Sequence, residues 1–288
     1  MQKQYGDILF CFGRHLLDGF ALLFFLFAAV LVLPKASAEQ EPFRDRKASK
    51  ITLADDPKAV EIIRAADRIR APEEAFRYVL DLIEMKDSEV VAKQRLDVAM
   101  RIAKPTPERS GDAKALVRFL EPHKDQGKAL LSNLDKMWFY DPKLRKPIPI
   151  SRQQRLIGQV ANGDVVAADF DLSYASAIED TEPCGEVQCY RIALQRRWQH
   201  VTYPKITYWV EVQSKRPFMA DFLSSNGKVM KTAFYKDYRQ GLGAERPHEI
   251  VIVDALQKNH YTRMLYSQGR FENTPEVYFQ REYLERLR

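Results

Sequence analysis

The 288-residue chain is poor in cysteine, histidine and glycine, with three Cys, five His and twelve Gly. It contains no G-x-S-x-G elbow, no H-E-x-x-H and no G-x-x-x-x-G-K-[ST] loop. That removes the readable signatures of an α/β-hydrolase, a zincin and a P-loop nucleotide enzyme. The single Gly-x-Gly, Gly241-Leu242-Gly243, falls between two strand patterns rather than between a strand and a helix. It reads as a turn and not as a dinucleotide fingerprint. The acidic pairs Asp55-Asp56 and Glu73-Glu74 sit at element starts, where carboxylates serve helix and strand ends. His123, His200, His248 and His260 show no ligand spacing, so no metal site is expected. Nothing calls for a cofactor or for enzymatic chemistry. Nor does any apolar run reach the roughly 20 residues that a membrane-spanning helix needs.

What is present is an ordinary globular composition, 45% hydrophobic and 29% charged, which excludes a disordered chain. The longest apolar run is Phe20 to Leu33, fourteen residues. Lys3 and Arg14 precede it; Pro34, Lys35 and the small-x-small triplet Ala36-Ser37-Ala38 follow. This is the pattern of a secretory signal peptide over residues 1–38 with a cut after Ala38, the alternative being an uncleaved anchor. Cys11 lies before the apolar run and not at its end, which does not suit a lipoprotein attachment cysteine. Residues 1–38 carry Lys3, Arg14 and Lys35 against Asp7 and Asp18, so cleavage leaves 42 basic and 37 acidic residues, net +5, in 250. That surplus suits either plain solubility or a weak preference for anionic lipid surfaces, and export argues against nucleic acid. The expected location is therefore the periplasm, with a polar leader at 39–56 and one domain over 57–288.

After the leader, Asp56 and Pro57 form a helix start, and Val60, Ile62, Ile63 and Ile69 follow at near-helical spacing. The spacing predicts an amphipathic helix over 57–70, stopped by Ala71-Pro72. The period then drops to two. Phe76, Tyr78, Leu80 and Leu82 fall on one side of a strand over 74–86; Val90, Ala92, Leu96, Val98, Met100 and Ile102 do so over 90–103. Further strands are expected at 113–121, 126–133, 136–141, 189–197, 205–213, 217–224, 228–238, 248–254 and 260–267. Asn226-Gly227 supplies a hairpin turn between two of them. Ser151 is a good N-cap, and one or two short helices are expected between 151 and 172. The fold class is mainly β (α+β), one strongly curved antiparallel sheet or half-barrel of about ten strands with covering helices. Its inner face could be packed solid or could enclose a cavity. The aromatics Trp138, Tyr140 and Tyr208-Trp209 could fill a core or line such a pocket.

Cys184 and Cys189, five apart around a glycine, could close a disulfide across a hairpin in an oxidising compartment. A metal would need further ligands, and a redox pair would more usually be separated by two residues.

Several stretches together resemble the LolA-like, outer-membrane lipoprotein-sorting family of periplasmic proteins. They are ADRIRAPEEAF, the block from KALLSNLDKMWFYDPKLRKPIPISRQQRLIG to GDVVAADF, KITYWVEVQSKRPFMADF, and the closing EVYFQREYLERLR. The resemblance runs from about residue 57 to 288 and is most specific at Met137-Trp138, Ser151, Gln154-Arg155 and Asn162-Gly163-Asp164. It implies an open curved sheet whose apolar concave face is closed by helices and carries lipid or the acyl chains of lipoproteins between envelope membranes. It also implies transient membrane contact and, for some members, an inner-membrane transporter of the resistance-nodulation-division class. Phe76, Tyr78, Leu80, Leu82, Leu96, Val98 and Met100 are the candidates to line the concave face, with Trp138 and Tyr140 beside them. Arg155 and Asp164 are expected to fix a helix-to-sheet junction. The alternative function is a periplasmic sensor or exporter-accessory module that uses the same sheet for docking without a cargo.

Overall fold

The computed structural model describes residues 54–102, 113–133, 135–166 and 169–287. The expected signal peptide and nearly all of the leader lie outside them. The described part of the chain begins with α1 (Pro57–Arg70), started as its sequence indicates: Asp56 accepts from Lys58 N at 2.9 Å and Pro57 occupies the first turn. Ala59, Ile62, Ile63 and Ala66 form its buried stripe, and Arg68 and Arg70 place positive charge at its C-terminal end.

Next come β1 (Phe76–Lys86), β2 (Glu89–Ile102), β3 (Ala113–Glu121), β4 (Ala129–Asn133), β5 (Lys136–Tyr140) and β6 (Ile148–Pro149). A small hairpin, β7 (Arg155–Ile157) and β8 (Val160–Ala161), leads into α2 (Asn162–Val166) and α3 (Phe170–Ser173). The second half is β9 (Tyr174–Cys184), β10 (Val187–Arg196), β11 (Lys205–Glu211), β12 (Pro217–Leu223), β13 (Val229–Gly241), β14 (Ala244–Asp254) and β15 (His260–Phe271). A short C-terminal helix, α4 (Arg281–Leu284), ends the described chain.

Thirteen of these strands make one antiparallel sheet in the order β6-β5-β4-β3-β2-β1-β15-β14-β13-β12-β11-β10-β9. Each half is a meander, and the β1–β15 pairing joins the first half to the last strand. The sheet is open and curved. Alternation then sorts side chains into two sets. One set, with Leu80, Leu82, Leu96, Val98, Tyr208 and Ile252, forms the main core beneath α1, α2 and α3. The other set meets the C-terminal segment: Phe279 and Leu284 are fully buried against Leu116, Ala129 and Leu131. Asn133 Nδ2 donates to the Phe279 carbonyl at 2.9 Å, and Arg101 pairs with Glu276 at 3.0 Å.

Two expectations are corrected here, while the short helices expected between 151 and 172 are present as α2 and α3. Residues 152–158 ahead of them are a turn and strand β7, because Arg155 to Val160 fold back as a two-stranded hairpin. The left-handed Gly158 at its tip admits no side chain; a Cβ there would collide with Thr262 Oγ1. The sheet also has more strands than about ten, since β9 carries Glu179, Asp180, Glu182 and Pro183 and hides its strand character in a polar edge. Val90 is 55% exposed, because the β1–β2 hairpin extends past the core.

Candidate functional site

Between the concave face and its helices lies a cavity of about 360 Å³. Its floor is an alternating pattern on three strands. Arg246, His248, Ile250 and Ile252 line it from β14; Met264, Tyr266 and Gln268 from β15; Ala233, Tyr235 and Gln240 from β13. Every second residue of an extended strand faces the same way, so these registers present one continuous inner surface, with Gln240 alone out of phase beyond the left-handed Asp237. Phe76 and Tyr78 of β1 and Met100 of β2 form one side, and Phe222 of β12 another. The roof is Arg70 and Ala71 from the end of α1, Val165 from α2, and Phe170 and Ser173 from α3. Gln240, Gln268 and Gly269 are exposed and mark the mouth.

The roof is tied down by charge. Asp67 accepts Phe170 N at 2.7 Å and Asp171 N at 2.9 Å and pairs with Arg70 at 2.9 Å, so one carboxylate joins α1 to the start of α3. Burial pushes the Asp67 carboxyl well above its ordinary range, Arg70 offsetting part of that. Arg70 lies 3.9 Å above the Phe170 ring. Burial alone would weaken its hold on the proton, but Tyr235, Tyr208 and Asp67 outweigh it and hold it above the ordinary value. At α2, Asp164 accepts from Lys231 Nζ at 2.6 Å, Tyr203 Oη at 2.7 Å and Ala161 N at 2.7 Å. Both side chains of the Lys231–Asp164 pair are less than a tenth exposed. Arg246 clasps the end of α1 by donating to the Arg68 and Ile69 carbonyls at 2.6 and 3.0 Å. Burial pushes the cavity's Tyr78, Tyr235 and Tyr266 above the ordinary phenol value, and Tyr78 Oη donates to the Val165 carbonyl at 3.1 Å.

Of the residues singled out from sequence, Phe76, Tyr78 and Met100 stand in the cavity wall. Leu80, Leu82, Leu96 and Val98 are buried in the same core, beneath the wall rather than in it. Trp138 and Tyr140 do not join them. Met137 and Phe139 point into the main core, so Trp138 and Tyr140, one residue out of phase, face the other side and pack with Phe279 and Leu284. Trp209 likewise faces away from Tyr208. Asp164 fastens α2 to β13, whereas Arg155 is exposed on β7. Cys184 and Cys189 are joined as a disulfide, with Cα atoms 5.9 Å apart, at the β9–β10 hairpin. Sequence reasoning passed over Arg70, Arg246, Tyr235 and Tyr266. The two tyrosines lay on recognised strand segments and could have been assigned by period; the arginines give no local sign of burial. Among the described residues no His/Cys/Asp/Glu group could hold a metal, and no helix is long and apolar enough to cross a membrane.

A LolA superfamily protein from Nitrosomonas europaea is similar to this chain with a TM-score of 0.71 and 29% identity, over 78% of this chain and 98% of that one. An outer membrane lipoprotein-sorting protein domain from Vibrio parahaemolyticus matches with a TM-score of 0.67 and 18% identity, over 79% and 98% of the two chains. A DUF1329 family protein from Desulfovibrio piger matches with 0.65 and 15%, over 78% and 97%. No curated protein matches. A family model described as "Uncharacterized protein" covers residues 111–286, more than half of the chain. The chain therefore belongs to the family that this model describes, and its fold is that of the LolA-like, outer membrane lipoprotein-sorting proteins.

Proposed function

We propose that this protein is a periplasmic carrier that shields the acyl part of a lipid or lipoprotein in its concave cavity during transfer between envelope membranes. The observation that carries the reading is the cavity itself: about 360 Å³ of space between a curved sheet and three helices, walled by Phe76, Met100, Phe222, Ile252 and Met264. Cavities of this size are typical of small-ligand sites, and each methylene moved out of water gains about 0.8 kcal/mol. No covalent step is required for such a role. Residues 1–38, read as an export signal, support the location. The family resemblance supports a handover to or from an inner-membrane transporter of the resistance-nodulation-division class. Release requires the roof to lift, and the roof is held by few, identifiable bonds: Asp67 to α3, Arg246 to the end of α1, and Lys231 to Asp164.

The test is purification without detergent, followed by lipid extraction and mass spectrometry, with a fluorescent fatty-acid probe added to the stripped protein. Bound acyl lipid at a reproducible ratio, or saturable probe binding, is expected. Protein that carries no acyl species and does not bind the probe is no carrier.

A further inference from the structure

On the floor strands the cavity lining is polar at one end and apolar at the other, while Asp164 and Tyr203, bonded to each other and to Lys231, add a closed polar cluster to the wall. On β14 the lining runs Arg246, His248, Ile250, Ile252; on β15 it runs Gln268, Tyr266, Met264; on β13 it runs Gln240, Tyr235, Ala233. Six residues of extended chain separate Arg246 from Ile252, roughly 20 Å at the usual strand rise.

Arg246 is the distinctive group at the polar end. It is 8% exposed. Its Nε donates to the Gly241 carbonyl and its Nη2 to the Leu242 carbonyl, both at 3.0 Å; Nη1 takes the Arg68 and Ile69 carbonyls. A guanidinium has five N–H donors, so one remains, and all four acceptors are neutral carbonyls. No carboxylate lies within ion-pair distance of it among the described residues. The end of α1 offers only the partial negative charge of a helix C-terminus. Elsewhere in the wall the charges balance, Arg70 and Arg152 against Asp164 and Asp169, and Arg70 is paired with Asp67, so Arg246 is the surplus charge of the lining. Lys231 already neutralises Asp164. One turn of the pleat inward from the mouth, the Tyr266 hydroxyl makes no hydrogen bond among the described residues and faces the same space.

We infer that the cavity takes a single-chain amphiphile with an anionic head, a carboxylate or a phosphate monoester. The head sits at the mouth against Arg246 and Tyr266, and the tail runs inward between Ile252 and Met264. This rests on the carrier reading and narrows it. A buried guanidinium without a carboxylate is an expensive group that an anionic head would complete. The volume sets the tail: at about 30 Å³ for a water-sized group, the cavity holds about a dozen such groups, one acyl chain and not several.

The experiment compares dodecanoate, dodecyl phosphate and dodecanol as competitors of a bound fluorescent fatty-acid probe, each below its micelle concentration at pH 7.5. The three share a tail and differ in the head. Both anions should bind the wild-type protein about tenfold or more tighter than dodecanol, as expected for a charge-assisted bond made away from water. Whichever anion binds more tightly identifies carboxylate or phosphate as the head. Arg246→Gln should bring the ratio of anion to alcohol close to one, and Arg246→Lys should restore part of it. Should Arg246→Gln fail to fold, Tyr266→Phe provides the second variant and should weaken the anions several-fold relative to dodecanol. Dodecanol that equals the anions on the wild-type protein overturns the anionic head and leaves the carrier reading standing. A ratio unchanged in Arg246→Gln overturns the assignment to Arg246. Failure of all three ligands and the probe to bind is instead the failure of the carrier reading.

Discussion

Chain length is the perturbation whose effect the cavity fixes most tightly. A tail that enters the space between β13, β14, β15 and the roof leaves water one methylene at a time, and each step is worth about 0.8 kcal/mol. That is roughly a fourfold change in dissociation constant per methylene. From octanoate to dodecanoate, four methylenes, the affinity should rise by about 3 kcal/mol, or roughly 200-fold. The cavity of about 360 Å³ is then full, at about 30 Å³ per water-sized group. Tetradecanoate and hexadecanoate should therefore fall within a few-fold of dodecanoate. The same slope should be seen for the neutral alkanols, since it belongs to the tail and not to the head. Displacement of a fluorescent probe, with each ligand below its micelle concentration, measures the series. A flat series would mean that the tail stays outside the cavity. An unbroken climb to hexadecanoate would refute the volume argument.

The Lys231–Asp164 pair is buried on both sides, so Asp164→Asn should strand a buried ammonium and cost about 3–5 kcal/mol in urea unfolding. Adding Lys231→Met to it should recover most of that loss, and a loss below about 1 kcal/mol in the single variant would place the pair in effective contact with water. Replacing Cys184 and Cys189 together by Ser opens a loop with sequence separation 5, which should cost about 2 kcal/mol of stability while probe binding is retained, because the bond packs with Trp209 and Met219 away from the cavity. The Arg77 guanidinium holds the Glu272 carboxyl below its ordinary range, a depressed folded-state value. Its contribution is present above the unfolded glutamate value and is lost as pH falls through the folded one, so Glu272→Gln should lower the urea midpoint at pH 7 and make no difference near pH 2.

Residue patterns with a short period were legible before any coordinates. Helix α1 carries its own cap, proline and stripe within fourteen residues, and its bounds follow from them. The strands with polar and apolar faces, β1 to β3 above all, declare themselves by alternation. Where the alternation is doubly apolar, as in Met137-Trp138-Phe139-Tyr140, sequence offers no way to choose the inner parity. The C-terminal segment gives the outer face a core of its own and absorbs Trp138 and Tyr140. Strand β9 escaped notice because Arg191 of the neighbouring strand pays for its acidic residues, a compensation visible only once the two are paired. The site's charges are the least legible part. Arg246 is buried by contacts to the end of α1, some 177 positions earlier in the chain, and no local pattern announces such a contact.

The central claim is that an acyl chain lies inside the concave cavity with its far end between β14 and β15. A crystal of the protein grown with 12-bromododecanoate locates that end directly, through the anomalous signal of bromine. The account predicts one bromine peak between Ile252 and Met264, with the carboxylate toward Arg246. A peak on the outer face, or at the mouth with the cavity empty behind it, would contradict it.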